Sequence, residues 1–312
     1  MTATQTGAQS AASPATAQVS YAQIVDADDP RILGMHALMS RTFDPAELDT
    51  LEVTRAELRD HPGRHLVFVA YDAHSGDVVG YATGALVSLR DSGQQQVENQ
   101  VFVCGCYLDR DPRYRGHAIG ERLFELRQHA ARLDAERMGL RLVGYLAECS
   151  DKEGFFNRMS AKRLYVKSET EHYVELPYHQ PPTHWDALGH AVGPVAGEAS
   201  APSGAPEHLM FAPPAGQPLP KTVAVTVLLQ MVRGLFWYNS RENHFLTNGT
   251  SDALKRLHGT VDAFEQALET LCAQAADGQL ILLSKLEREQ LAAQGATFAE
   301  HHRRPKVGSG TG

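Results

Sequence analysis

The chain has 312 residues, which at about 150 residues per domain suggests two domains or one with a long appendage. Lys plus Arg number 29 and Asp plus Glu 37, a net charge of −8, which argues against nucleic acid or an anionic membrane as partner. Hydrophobic residues make up 43%, or roughly 48% with Gly counted and Tyr left out, ordinary for a globular chain, and four Cys are too few for a disulfide framework.

Positions 1–19 are small and polar, without the basic start and apolar centre of a secretory signal. They read as a disordered tail. The uncharged run Thr222 to Val232 is far short of the ~20 residues of a membrane span. A cytoplasmic, reduced protein is the expectation.

Asp28, Asp29 and Pro30 predict a helix start, followed by apolar Ile32, Met35 and Met39. His65 to Tyr71 and Val78 to Val87 predict a hairpin around the turn residues at 73–77. Val101 to Leu108 is apolar on both alternating faces, as in a central strand. Val101, Val103 and Tyr107 would share one face, and Phe102, Cys104, Cys106 and Leu108 the other. From Ala118 a helix carries Ile119, Leu123, Leu126, Ala130 and Leu133 as its core stripe. Leu142 to Ala147 is another buried strand, and Glu153 to Met159 a short helix. Arg163 to Lys167 and Tyr173 to Leu176 predict two closing strands.

Nine of the 16 prolines fall between Pro181 and Pro220. That stretch reads as a long irregular connection, with Glu207 to Phe211 as an ordered island. Beyond it, Ala224, Leu228, Met231, Leu235 and Tyr238 form one helical stripe. Val225, Leu229, Val232 and Phe236 form another beside it. A helix apolar most of the way round is buried in its domain or against a partner. Ser251 to Ala276 and Leu283 to Ala293 read as further helices.

The segment from Arg110 to Arg122 carries the most information. Gly116, Ala118 and Gly120 lie between a buried strand and an amphipathic helix, where small side chains admit a ligand to the backbone. The first N–H groups of a helix have no internal partner and sit at the positive end of its dipole. These features suit a phosphate or pyrophosphate. Arg110, Arg113, Arg115, His117 and Arg122 add local positive charge to an acidic chain. The Gly-Lys-Ser/Thr ending of a nucleotide P-loop and the dinucleotide Gly-x-Gly-x-x-Gly pattern are both absent.

Arg115-Gly116-His117-Ala118-Ile119-Gly120, preceded by Pro112 and Tyr114, resembles motif A of the GNAT superfamily of acyl-CoA-dependent N-acyltransferases, with Ala118 in place of a Gly. The resemblance covers residues 20–180. It implies an α/β fold, a GNAT-type mixed sheet with central splayed parallel strands, here followed by a helical C-terminal extension over 221–300 and a tail at 301–312. It implies acetyl-CoA as co-substrate, its pyrophosphate on the backbone of Arg115 to Gly120, with Arg113 beside it. Its pantetheine arm would lie along Cys106, Tyr107 and Leu108. No metal is expected, since Cys104, Cys106 and Cys149, like His184, His190 and His208, fit no ligand pattern.

A second family signature, after the next strand, ends in a Tyr that protonates the leaving thiolate. Aligned on Phe155, this chain has Cys149, Lys152 and Phe156 where the family has Asn, Ala and Tyr. Phe156 cannot donate a proton, so Tyr145, Tyr165 or water would take that role. The central strand has no carboxylate. Glu148, at the end of the following strand, is the preferred base, with Glu98 and His172 as alternatives. The expected reaction is direct acetyl transfer to a small-molecule amine. Two other readings remain: a donor with a longer or carboxylated acyl chain, as in an N-acyl amino acid synthase or a succinyltransferase, and an acyl-CoA-binding regulator without chemistry. A homodimer through the C-terminal helices is a further expectation.

Overall fold

The computed structural model describes residues 18–43, 48–60, 63–93, 95–149, 153–168, 171–176, 178–179, 206–242 and 278–299, together with 265–267, 269–271, 273 and 275. The tail at 1–17, most of the expected helix at 251–276, His184, His190, Lys152 and the tail at 301–312 lie outside them.

The described chain folds as a mixed α/β structure around one large sheet. In chain order it runs β1 (Val19–Ile24), α1 (Arg31–Met39), α2 (Leu51–Asp60), β2 (His65–Asp72), β3 (Val78–Arg90), β4 (Gln96–Arg110), α3 (Ile119–Arg137), β5 (Arg141–Cys149), α4 (Glu153–Arg158), β6 (Lys162–Lys167), β7 (His172–Glu175) and β8 (Tyr178–His179). Then come β9 (Pro206–Ala212), β10 (Thr222–Ala224), α5 (Val225–Glu242), β11 (Gln279–Leu283), α6 (Lys285–Ala293) and β12 (Thr297–Ala299). The spatial order is β1-β2-β3-β4-β5-β9-β6-β11-β10, with β7 beside β6, β12 beside β7 and β8 beside β9.

The hairpin, central strand, following helix and buried strand stand where apolar periodicity places them. Four expectations need correction. First, β9 lies between β5 and β6 in the sheet, so the Pro-rich stretch contributes a central strand. Leu209, Met210 and Phe211 are buried, and that burial holds the strand despite its proline-rich flanks.

Second, the region after Pro220 is not simply helical. β11 pairs with β6, and β10 pairs with β11, so the C-terminal region completes the same sheet. Leu280 and Leu282 face inward at period two. The doubly striped α5 buries Leu228, Leu229, Met231, Val232 and Leu235. It comes close to β3 at Gly234, where a Cβ would collide with the Ser88 carbonyl. Its apolar surface as far as Leu235 thus packs into the chain's own core.

Third, the buried face of α3 is rotated from the expected stripe. It includes Ile119, Gly120, Leu123, Phe124, Arg127, Gln128, Ala131, Asp134 and Ala135, with Leu126 and Ala130 partly buried beside them, while Leu133 is exposed. Fourth, two residues of β4, Cys106 and Tyr107, stand opposite Thr83 of β3. This bulge breaks the alternation of faces. Tyr107 packs with the α1–α2 cluster, and Leu108 joins Val101 and Val103 on the α3 side.

The sheet therefore has two dressed faces. α3 covers one. On the other, α1 and α2 cover β1–β3 and α5 covers the centre, and Cys106 touches both of those clusters.

Candidate functional site

β4 and β5 run parallel and are paired from Gln100–Arg141 to Gly105–Ala147. Beyond that point β4 continues unpaired with β5 to Arg110, while β5, paired with β9 on its other edge from Tyr145 onward, keeps that pairing through Glu148 and Cys149. The two central strands part at Gly105, leaving a V between them.

The loop after β4 closes one side of this V. Asp111 caps a short turn, accepting from the N–H of Arg113 at 2.9 Å and from its guanidinium at 3.0 and 2.7 Å. That guanidinium holds the Asp111 carboxyl below its usual range. Tyr114 donates to Asp72 at 2.9 Å, which ties the loop to the β2–β3 turn. Gly116 has φ 90 and Ala118 φ 52. The left-handed pair turns the chain so that α3 begins at Ile119 without a side-chain cap. Arg122 is the first residue of α3 whose N–H is bonded back to the loop, at Ala118 O, 3.0 Å. Among the described residues, no carbonyl accepts from the N–H groups of Gly116, Ala118, Ile119 or Gly120. Converging free N–H groups at a helix start bind anions.

A cleft of about 580 Å³ opens beside these N–H groups. Its walls are Leu108 to Arg110 of β4, the loop and first turn from Arg115 to Glu121, and Gly154, Phe155, Phe156 and Arg158 of α4. A second cavity of about 740 Å³, on the side of Leu38 and Thr42, shares Asp109, Arg110 and Arg115 with it. The basic residues differ in commitment. Arg113 is paired with Asp111, Arg122 with Glu125 and Arg158 with Glu121. Arg110 lies 3.7 Å from Asp109. Arg115 forms no ion pair among the described residues, so its charge remains available. His117 packs at 6.0 Å from the Tyr114 ring.

Most expected binding residues therefore come together. Leu108, Arg115, Gly116, Ala118, Gly120 and Phe156 line the first cleft, and Arg113 lines the second. Ile119 is buried as the first anchor of α3. The binding expectation for Tyr107 concerns its backbone: its side chain faces α1 and α2, and its hydroxyl accepts from the N–H of Asp49 at 3.1 Å. Only its backbone belongs to the V. Cys106 is half-buried beside Cys104. Its thiol is pushed well up by the Cys104 contact and by burial, which disfavours the thiolate that nucleophilic chemistry requires.

The catalytic candidates separate. Glu148 lies one residue past the last β4–β5 pair. Ala147 and Cys149 face α3, so strand alternation puts Glu148 on the opposite face, the one carrying Cys106. Glu98 is corrected. β4 begins at Gln96, not Val101, so Glu98 sits within the strand, seven residues before Gly105 and roughly 23 Å from the V. His172 is on β7, with its ring 2.8 Å from Thr297, and Tyr165 packs with Tyr173 and Phe298. Both are in the part of the sheet beyond β9.

Tyr145 is buried on the α3 side, with its ring edge-on to Phe124. Its hydroxyl accepts from Arg127 Nη2 at 2.6 Å. Burial pushes its pKa up to about 12, against the opposing effect of the Arg127 charge. Sequence reasoning missed Arg127 because an arginine beside an apolar stripe reads as solvent-facing. The usable signal was Phe124, Ala131 and Ala135, which define the true inner face.

Among the described residues no group of three or more His, Cys, Asp or Glu side chains is placed to hold a metal ion. Nor is any helix long and apolar enough to cross a membrane.

No family model matches the chain, and no curated protein matches it. Solved structures do. Glucosamine-6-phosphate N-acetyltransferase from Arabidopsis thaliana is 16% identical, over 46% of this chain and 89% of that one, with a TM-score of 0.34. Arabidopsis thaliana NAA60, crystallised with a bisubstrate analogue, is 13% identical over 64% and 100%, with a TM-score of 0.38. A Desulfovibrio desulfuricans protein described as a GNAT-family acetyltransferase is 17% identical over 49% and 91%, with a TM-score of 0.35.

Proposed function

We propose that the protein is an acyl-CoA-dependent N-acyltransferase that moves an acetyl group from acetyl-CoA to an amine. The observation that carries this reading is that β4, once parted from β5 at Gly105, runs on through Leu108 to Arg110 as a wall of the cleft that holds the free N–H groups of Gly116, Ala118 and Gly120. A pyrophosphate-bearing ligand with a long, thin arm fits both at once. The phosphates would take the loop N–H groups and the charge of Arg115, and Phe155 and Phe156 would flank the arm. Acetyl-CoA, when bound, supplies an activated thioester.

The chain's own residues then have distinct tasks. The loop and α4 hold the donor from the α3 side. The acceptor enters from the opposite face, bounded by α1, α2 and α5. There Glu148 takes a proton from the amine nitrogen as it bonds to the acyl carbon. The C–S bond breaks, and its electron pair leaves on sulfur, which recovers a proton to give the free thiol. Confinement of both reactants in the V supplies the orientation that direct transfer needs.

A free-thiol release assay over a panel of amines and acyl-CoA donors tests this reading. Amine-dependent release with acetyl-CoA supports it. Preference for a longer or carboxylated donor revises the donor. Acyl-CoA binding without release for any amine supports the regulatory alternative, which the Phe156 substitution favours.

A further inference from the structure

The Arg127 guanidinium is almost completely buried between α3 and the sheet. It donates to the Thr83 carbonyl and to the Tyr145 hydroxyl at 2.6 Å. No carboxylate pairs with it among the described residues, and its Nε has no acceptor. A buried cation without an anion is costly, so its retention calls for a reason. Its surroundings are built for it. A Cβ at Gly84 would lie 3.2 Å from Arg127 Cδ and would collide with the Cys104 carbonyl, and a Cβ at Gly105 would collide with the Tyr145 hydroxyl. Gly84 and Gly105 face each other across β3 and β4.

The hydrogen-bond arithmetic fixes the direction of the phenol. Arginine only donates, so Arg127 occupies an acceptor lone pair of Tyr145 Oη. The phenolic proton must point elsewhere, and it has no acceptor among the described residues. The hydroxyl lies against Gly105, the last β4 residue paired with β5. A buried donor is therefore left unspent at the apex of the V.

We propose that Arg127 is a positioning residue that aims the Tyr145 O–H into the apex between β4 and β5, where the pair stabilises negative charge developing on the acyl oxygen or the departing sulfur. This rests on the acyl-transfer reading. It takes up the role that Phe156 cannot fill, with one difference: the phenol stays protonated and acts as a hydrogen-bond donor. Preorganised donors of this kind are each worth about 10²–10³-fold in turnover.

Two measurements test it on the full chain. In thiol release, Arg127→Met and Tyr145→Phe are each expected to lower kcat by about 10²-fold, with the donor's KM and CoA affinity within threefold of wild type. Arg127→Lys is expected to recover part of the loss, and the double variant to be no worse than the poorer single, as for residues acting as one unit. Losses that multiply, or an Arg127→Met kcat within twofold of wild type, would overturn the proposal.

The second measurement needs no turnover. Calorimetric affinity for CoA is expected to rise from pH 7 to pH 10, as its thiol ionises beside Arg127 and Tyr145. It is expected not to rise in Arg127→Met or with desulfo-CoA. The other titratable groups whose charge reaches Tyr145 are Cys104 and Cys106 of β4, on the opposite face of the sheet, so Cys104→Ala serves as the control. CoA binding with no such rise overturns the role of Arg127. No CoA binding at all overturns the acyl-transfer reading itself.

Discussion

Gly120 and Phe155 hold the width of the cleft between them: a Cβ at Gly120 would stand 3.1 Å from Phe155 Cε2 and 3.7 Å from Leu108 Cδ2. The first turn of α3 and the aromatic wall of α4 are in contact only because residue 120 has no side chain. Gly120→Ala is therefore expected to push Phe155 aside by a few tenths of an ångström. CoA affinity, measured by calorimetry, should fall by less than about tenfold, or 1.4 kcal/mol.

Ala118 pays for its left-handed conformation. The non-glycine penalty at such a φ is about 1–2 kcal/mol, and glycine's larger unfolded-state entropy returns ~0.4–1 kcal/mol of it. Ala118→Gly is thus expected to raise stability by about 0.5–1 kcal/mol in chemical denaturation. Ala118→Val is expected to lower it, since β-branched residues tolerate positive φ poorly.

Glu153, the first residue of α4, receives Arg288 of α6 at 2.6 and 2.8 Å and Arg163 of β6 at 2.7 Å. The C-terminal region thus braces the helix that forms one wall of the cleft. Removing one partner of a buried pair costs about 3–5 kcal/mol. Arg163 remains, so Arg288→Ala is expected near the lower end, with weakened CoA binding as α4 loosens. Burial alone would raise the Glu153 carboxyl, but Arg288 and Arg163 outweigh it and hold it below the usual carboxylate range. Its contribution is therefore full above its unfolded value and is lost as pH falls through the lower folded one. In Arg288→Ala, acid unfolding should begin at higher pH than in wild type.

Glu148 and Cys106 flank the V from β5 and β4, and they make opposite predictions. Glu148→Gln is expected to cut thiol release by about 10²-fold or more, as for a lost general base. Turnover within twofold of wild type would remove Glu148 from that role. Cys106→Ala should leave turnover largely intact, because a thiol pushed well up is a poor nucleophile at neutral pH. A burst of bound acyl group lost in this variant would instead establish an acyl-enzyme.

The loop and its flanking strand and helix were legible because their signals are local: small residues at fixed spacing and an apolar run ending in a helix period. β9 was not, because its proline-rich flanks mask a strand that is held by neighbours distant in sequence. β11 falls in the gap between the helices expected over Ser251 to Ala276 and from Leu283 onward, because the run Leu280 to Leu283 is too short for its period to mark a strand. Glu98 was misplaced because the polar half of β4, from Gln96 to Gln100, has no apolar pattern to mark it as strand. Arg127 was hidden for a different reason. Its value lies in the absence of Cβ atoms at Gly84 and Gly105, a tertiary coincidence that no spacing rule records.

The most direct test of the central claim is a calorimetric titration of the full chain with acetyl-CoA, beside Gly120→Trp. Saturable binding by the wild type, abolished in a Gly120→Trp protein that still melts cooperatively, is the predicted result. An absence of binding by the wild type, or an affinity retained when an indole fills the space before Phe155, would contradict it.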